Sequence, residues 1–264
     1  MRIEIKKEIA NTITHGLGLL TFLSLIPFLF IKASKYDLNI KLLGLILFSV
    51  GLVAVYTSST VYHAIMHEKT KRVLRVADHI SIYYLIAGSY SAFMLMFIPK
   101  EISYPFLYIL WTLVAIGTIK KLFLTGKYDA LSTALYIFLG SMGLFLSKYI
   151  FEYMPTHVIW LIFIGGGCYL FGVIFYAWKK FQYHHAVWHM FVFSGSLCHF
   201  LEFILVLRIQ QIRHTYHNSI FVYIYVLIFL KANICKIYSF VQYTCFSFYC
   251  FCWVTSQCSN SNFH

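Results

Sequence analysis

Seven times between Thr12 and Leu207 the chain runs for about one bilayer thickness with almost no charge. A spanning helix needs about 20 mainly apolar residues, because a backbone in hydrocarbon must satisfy its polar groups internally. The predicted spans are Thr12–Ile31, Lys41–His63, His79–Pro99, Tyr104–Ile119, Leu131–Ile150, His157–Ala177 and His185–Leu207, the fourth being the shortest. Composition agrees: 60% of residues are apolar and 11% charged, whereas soluble domains carry about 25% charged residues. Lipid must therefore be the solvent for much of this chain. The expectation is an all-α, multi-pass integral membrane protein, a seven-transmembrane helix bundle.

The net charge of +12 does not point to nucleic acid. Its Lys and Arg residues fall in short clusters between apolar runs rather than along one face. Such clusters favour cytoplasm and anionic lipid. With the N-terminus cytoplasmic, that side holds twelve basic residues, among them Arg2, Lys6, Lys69, Arg72, Lys120 and Lys179, and the other side holds seven up to residue 217. The N-terminus is therefore expected in the cytoplasm. Its basic flank and long first apolar run, with no small-residue cleavage site, read as a retained helix rather than a signal peptide. Membrane lipids are the implied partners; nucleic acid is not expected, and the sequence names neither a protein partner nor an oligomeric state.

Residues 1–216 read as the membrane domain and 217–264 as a separate, atypical hydrophobic extension. Five of the seven cysteines (Cys235, Cys245, Cys250, Cys252 and Cys258) fall in this Phe/Tyr/Cys-rich tail. It reads equally as a further membrane segment or as a non-functional extension.

Helix parity gathers the polar chemistry. The start of span one, the end of span two and the starts of spans three and seven share one membrane side. They carry Glu8, Asn11 and His15; Ser59 and His63; Asp78 and His79; and His185 and His189. His185 and His189 are one helical turn apart, which lets two imidazoles grip one metal ion. The spacing alone is weak, because a chain with twelve histidines yields such pairs by chance, and interfacial histidines also snorkel. His63 and His67 form a second pair, so spacing leaves either as a third ligand, with the charged flank of His67 favouring His63. Ser59, one turn before His63, can orient a ligand or simply hydrogen-bond within its helix. Asp78 reads either as a carboxylate favoured by a helix N-terminus or as an acceptor for the proton of an attacking water. His199 and Glu202 lie deeper in span seven, His199 about 21 Å along the helix from His185. They are too far to share an ion with that pair, and a mutual hydrogen bond is expected. Gly165-Gly166-Gly167 reads as close helix packing. Neither a G-x-S-x-G nor an H-E-x-x-H motif is present.

Four stretches together resemble a known family. They are Glu8-Ile9-Ala10-Asn11-Thr12-Ile13-Thr14-His15-Gly16, Ser58-Ser59-Thr60-Val61-Tyr62-His63, the stretch from Ala77-Asp78-His79 to Gly88-Ser89-Tyr90, and His185-Ala186-Val187-Trp188-His189 followed by His199-Phe200. In this order they resemble the signatures of the hemolysin III family, related to the progestin and adipoQ receptors, over residues 5 to 207 or so. The resemblance implies seven helices, a cytoplasmic N-terminus and a zinc site near the cytoplasmic face. It implies His63, His185 and His189 as the Zn2+ ligands, with Asp78 and Ser59 beside them, and so chooses His63 over His67. Relatives imply zinc-dependent hydrolysis of a lipid amide such as a ceramide, with Asp78 as base and Ser59 as a supporting donor. The alternatives are a pore-forming cytolysin, as the family name suggests, and a receptor or membrane-homeostasis protein with structural zinc.

Overall fold

The computed structural model describes residues 3–35, 39–125, 129–180 and 182–215. Among these the regular structure is helical throughout: α1 (Ile3–Ala33), α2 (Ile40–Ala64), α3 (Glu68–Phe97), α4 (Lys100–Leu124), α5 (Asp129–Ser141), a 3-10 turn (Met142–Leu146), α6 (Ser147–Tyr153), α7 (Thr156–Ala177) and α8 (His184–Thr215). Seven spans are long and apolar enough to cross a membrane, the fifth (Ala130–Tyr153) assembled from α5, the 3-10 turn and α6. The seven-helix, multi-pass architecture read from the sequence is thus the observed one. The proposed boundary at residue 216 and the tail 217–264 lie outside the described residues.

The helices run further than their apolar cores. α1 begins at Ile3, nine residues before the predicted span, with Glu4 in its first turn and Lys32 in its last, the signs that suit the helix dipole. α3 begins at Glu68, and the side chain of His67 caps it, Nδ1 accepting from the Thr70 amide at 3.5 Å. His67 is therefore exposed and occupied as a cap. Asp78 stands ten residues inside α3, buried at 7% exposure. No helix N-terminus is available to stabilise it, so the capping reading is excluded by position.

Small residues bring α2 and α3 into backbone contact. A Cβ on Gly88 would meet the Leu47 carbonyl oxygen at 2.5 Å, and one on Gly51 would meet Leu85 Cα at 2.8 Å. Without a hydrophobic drive between helices in lipid, this close approach supplies the dispersion contact that holds them. The fully buried Leu45, Phe48, Leu52 and Tyr56 line the same helix.

The fifth span breaks because α3 intrudes on it. The Tyr90 hydroxyl donates to the Gly140 carbonyl at 2.6 Å and accepts from the Gly143 amide at 2.8 Å. A side chain inserted into the i to i−4 ladder interrupts it, and the chain continues as a 3-10 turn. Gly143 leaves room for the ring: a Cβ there would approach Tyr90 to 3.1 Å. Of the glycine triplet in α7, Gly165 alone packs closely, against Cys198 and His199 of α8. Gly166 and Gly167 have nothing within 4 Å of where a Cβ would stand. They line a cavity instead, which corrects the expectation of three packing glycines.

Candidate metal centre

The four helix ends that parity placed on one membrane side do converge. His63, near the end of α2, and His185 and His189, in the first turns of α8, bring one ligand nitrogen each to within 4.8 Å of one another. The ring centroids of His63 lie 5.1 Å from both partners, and those of His185 and His189 are 4.5 Å apart. His63 and His189 are buried, at 4% and 0% exposure.

Hydrogen bonds from α1 fix which nitrogen two of the three rings offer. The Nδ1 of His63 lies 2.6 Å from Glu8 Oε2. A carboxylate only accepts, so His63 carries its proton on Nδ1 and keeps a lone pair on Nε2. Lys71 holds the other Glu8 oxygen at 3.1 Å. The Thr14 hydroxyl donates to the Asn11 carbonyl at 2.9 Å and stands 3.1 Å from His189 Nδ1. With its only proton spent on Asn11, Thr14 must accept from His189 Nδ1–H. That again leaves Nε2 unprotonated. Both Nε2 atoms are buried without a hydrogen-bond partner. Buried polar atoms are normally paired, so two orphaned imidazole nitrogens in one histidine cluster fit a metal ion. Three nitrogen ligands with an open position is the pattern of catalytic zinc. The donor set does not by itself name the metal.

Asp78 lines the same cavity as His63 and His185. Its carboxyl is surrounded by His63, Ser59, Arg75 and Lys121, and His79 Nδ1 is 3.7 Å away. Ser59 is 1% exposed, and its hydroxyl faces the Asp78 carboxyl without closing a hydrogen bond. It does not line the cavity. Ser59 is thus placed to act on Asp78 rather than on a ligand.

Helix parity gathered Glu8, Asn11 and His15 on this membrane side and gave them no part in the ligand set. They are part of the centre. His15 is 1% exposed and its ring stacks on His189, centroids 3.6 Å apart at 27°. The spacing of Glu8, Asn11 and His15, one turn each along α1, was the available signal. Their facing partner on α2 was the missing one. The expected hydrogen bond between His199 and Glu202 is not formed, since Nδ1 and Oε2 stand 3.8 Å apart.

One cavity of about 1130 Å³ reaches the centre. Its polar end holds Glu8, His15, His63, Asp78 and His185, and it extends between the broken fifth span and α7 past Leu144, Ile150, Phe163 and Gly167.

The model of the family described as "Haemolysin-III related" matches residues 3–200. The chain belongs to this family. It is 39% identical over 196 residues to a "Hemolysin-3 homolog" of Bacillus subtilis (strain 168), covering 74% of this chain and 92% of that one. It is 35% identical over 192 residues to "Hemolysin-3" of Bacillus cereus, covering 73% and 88%. The human "Monocyte to macrophage differentiation factor" is 24% identical over 160 residues, covering 58% and 66%, a distant relative within the progestin and adipoQ receptor group. No solved structure matches. The matched region contains Glu8, Ser59, His63, Asp78, His185 and His189 and stops short of Glu202.

Proposed function

We propose that this protein is a zinc-dependent hydrolase of a membrane lipid amide, acting at the His63, His185 and His189 cluster. The observation that carries this reading is the pair of orphaned Nε2 atoms of His63 and His189, in a cluster whose His63 and His185 line one polar end of the cavity. A bound zinc ion supplies a Lewis acid that polarises a carbonyl and lowers the pKa of a water to about 7. Glu8 and Thr14 hold the two rings in the ligating tautomer and orientation. Asp78, on the cavity wall beside His63, takes the proton of the attacking water and returns it to the departing amine. Ser59 positions the Asp78 carboxyl from behind. Between the fifth span and α7 the apolar part of the cavity accommodates a lipid chain, and the amide comes to rest against the histidines.

The test is metal analysis and ceramide turnover on the purified chain. Wild type is expected to hold zinc and to release fatty acid, whereas Asp78→Asn keeps zinc and loses turnover. Zinc retained at full stoichiometry in His185→Ala/His189→Ala would remove the metal site. Equal turnover by Asp78→Asn and wild type would remove Asp78 as the base.

The names of the two Bacillus relatives favour a second reading, cytolysis. Dye release from liposomes separates the two. Lysis that persists in the double histidine variant belongs to the bundle and not to the metal centre.

A further inference from the structure

The cavity has a second polar wall that the metal centre leaves unused. His199, ten residues beyond His189 on α8 and so about 15 Å further along the helix, lines the same cavity. Its ring is held on two sides, by Phe93 of α3 at 5.1 Å and by Tyr169 of α7, stacked at 5.7 Å. Behind it stands Glu202, 0% exposed, with neither carboxyl oxygen hydrogen-bonded and His199 Nδ1 its nearest ionic neighbour at 3.8 Å. A carboxyl buried at membrane depth without a partner is costly, and such groups mark functional sites more often than structural ones.

The arrangement gives the two nitrogens of His199 separate tasks. Nδ1 is turned toward Glu202. Nε2 lies over Gly165, where a Cβ would come within 3.0 Å of it. Glycine at 165 therefore keeps open the space around the one nitrogen not directed at the carboxyl. The next two residues of α7, Gly166 and Gly167, are cavity wall. A ligand group meeting Nε2 must serve whichever tautomer Glu202 selects. A hydroxyl does so, since it both donates and accepts.

We propose that His199, backed by Glu202, is a second polar subsite of the cavity that binds a hydroxyl carried on the chain of a bound lipid. The subsite rests on the reading of the cavity as a lipid-chain site but not on hydrolysis. It makes the protein selective for chains hydroxylated about 15 Å from the group at the metal centre. An unsubstituted chain would leave His199 Nε2 unpaired, and that penalty is the source of the selectivity.

The experiment reads binding, not turnover. The full-length protein in detergent is loaded with a fluorescent long-chain fatty acid, which is displaced by N-acyl amides differing only in a hydroxyl moved along the acyl chain. Wild type is expected to prefer one hydroxyl position by roughly tenfold over the plain chain, the worth of one buried hydrogen bond. His199→Phe abolishes the preference and leaves plain-chain binding and zinc content unchanged. Gly165→Ala, which keeps both polar residues, lowers the preference by crowding Nε2 and serves if His199→Phe does not fold. Equal binding of plain and hydroxylated chains by wild type overturns the subsite while leaving the lipid reading intact. So does a preference that survives both substitutions. Failure of every amide to displace the probe overturns the lipid reading and the subsite with it.

Discussion

The two walls of the cavity are built on opposite principles. On one side α2 and α3 meet backbone to backbone, and a Cβ on Gly88 or Gly51 has no room. On the other, the fifth span is broken by Tyr90, and Gly140, Gly166 and Gly167 have nothing within 4 Å of where a side chain would start. The contrast assigns the walls different work. His63, Ser59 and Asp78 all stand on the close-packed pair, where a sub-ångström displacement would misplace a ligand. None of the three clustered histidines stands on the open wall, which shapes the apolar part of the cavity. Interiors packed to crystal density transmit strain rather than absorb it, so precision belongs on the first wall and adaptability on the second.

The largest effect should come from crowding the close-packed wall. Gly88→Ala places a Cβ 2.5 Å from a backbone oxygen that cannot rotate away. Overpacking of this kind costs about 1–3 kcal/mol, and the shift of α2 against α3 moves His63 relative to Asp78. Both a lower unfolding temperature and weaker zinc retention are expected. A variant of full stability would mean that the helices slide freely, and the contrast between the walls would then be false.

Next in size is the brace that α1 applies to that wall. Glu8 reaches across to His63 of α2 and Lys71 of α3. Removing a carboxylate that orients a ligand histidine typically costs 10- to 100-fold in metal affinity. Glu8→Ala should therefore weaken zinc binding by about that factor, measured by chelator competition. Thr14→Val, which removes the neutral acceptor at His189, should cost less. Equal affinity in Glu8→Ala and wild type would show that the His63 tautomer needs no partner.

Much of this was legible in the sequence, and the failures share one physical cause. The spans were readable because hydrocarbon imposes a length and a polarity on each helix independently of its neighbours. Parity was sufficient to bring His63, Asp78, His185 and His189 to one side. What a linear pattern cannot carry is which face of one helix meets which face of another. Glu8 and Thr14 had no assigned partner until the rotation of α1 set them against imidazole nitrogens. The helix ends were misjudged where polar residues continue a helix beyond its apolar core, so a terminal carboxylate stayed open as one reading of Asp78 although ten residues of α3 precede it. The break in the fifth span depends on a tyrosine fifty residues earlier in the chain. His199 and Glu202 have hydrogen-bonding spacing along α8, yet rotamers set by Phe93 and Tyr169 hold them apart.

A smaller effect is expected where the two walls touch. Tyr90→Phe keeps the ring and deletes both hydrogen bonds to the fifth span. Because the freed Gly140 carbonyl and Gly143 amide can rejoin a helical ladder, the net loss should be about 1 kcal/mol. Straightening the span would restore hydrogen bonding over residues 140–146 and narrow the cavity. Slower amide exchange across that segment, together with weaker binding of a long-chain amide, is the expected signature. Faster exchange there would mean that the tyrosine props the span rather than breaks it.

The smallest effect on stability, and the sharpest test of the contrast, is Gly166→Leu. It adds a side chain where a Cβ has nothing within 4 Å to collide with, and leucine is the better helix former. Stability should change by no more than about 0.5 kcal/mol, whereas Gly88→Ala, a smaller addition, should be several times more damaging. Yet Gly166 lines the cavity, so the leucine occupies volume that a lipid chain would use. Unaltered folding and zinc content combined with weakened chain binding would separate the working of the open wall from that of the closed one. Unaltered chain binding would mean that the chain lies elsewhere, and the gap between the fifth span and α7 would lose its assigned part in the reaction.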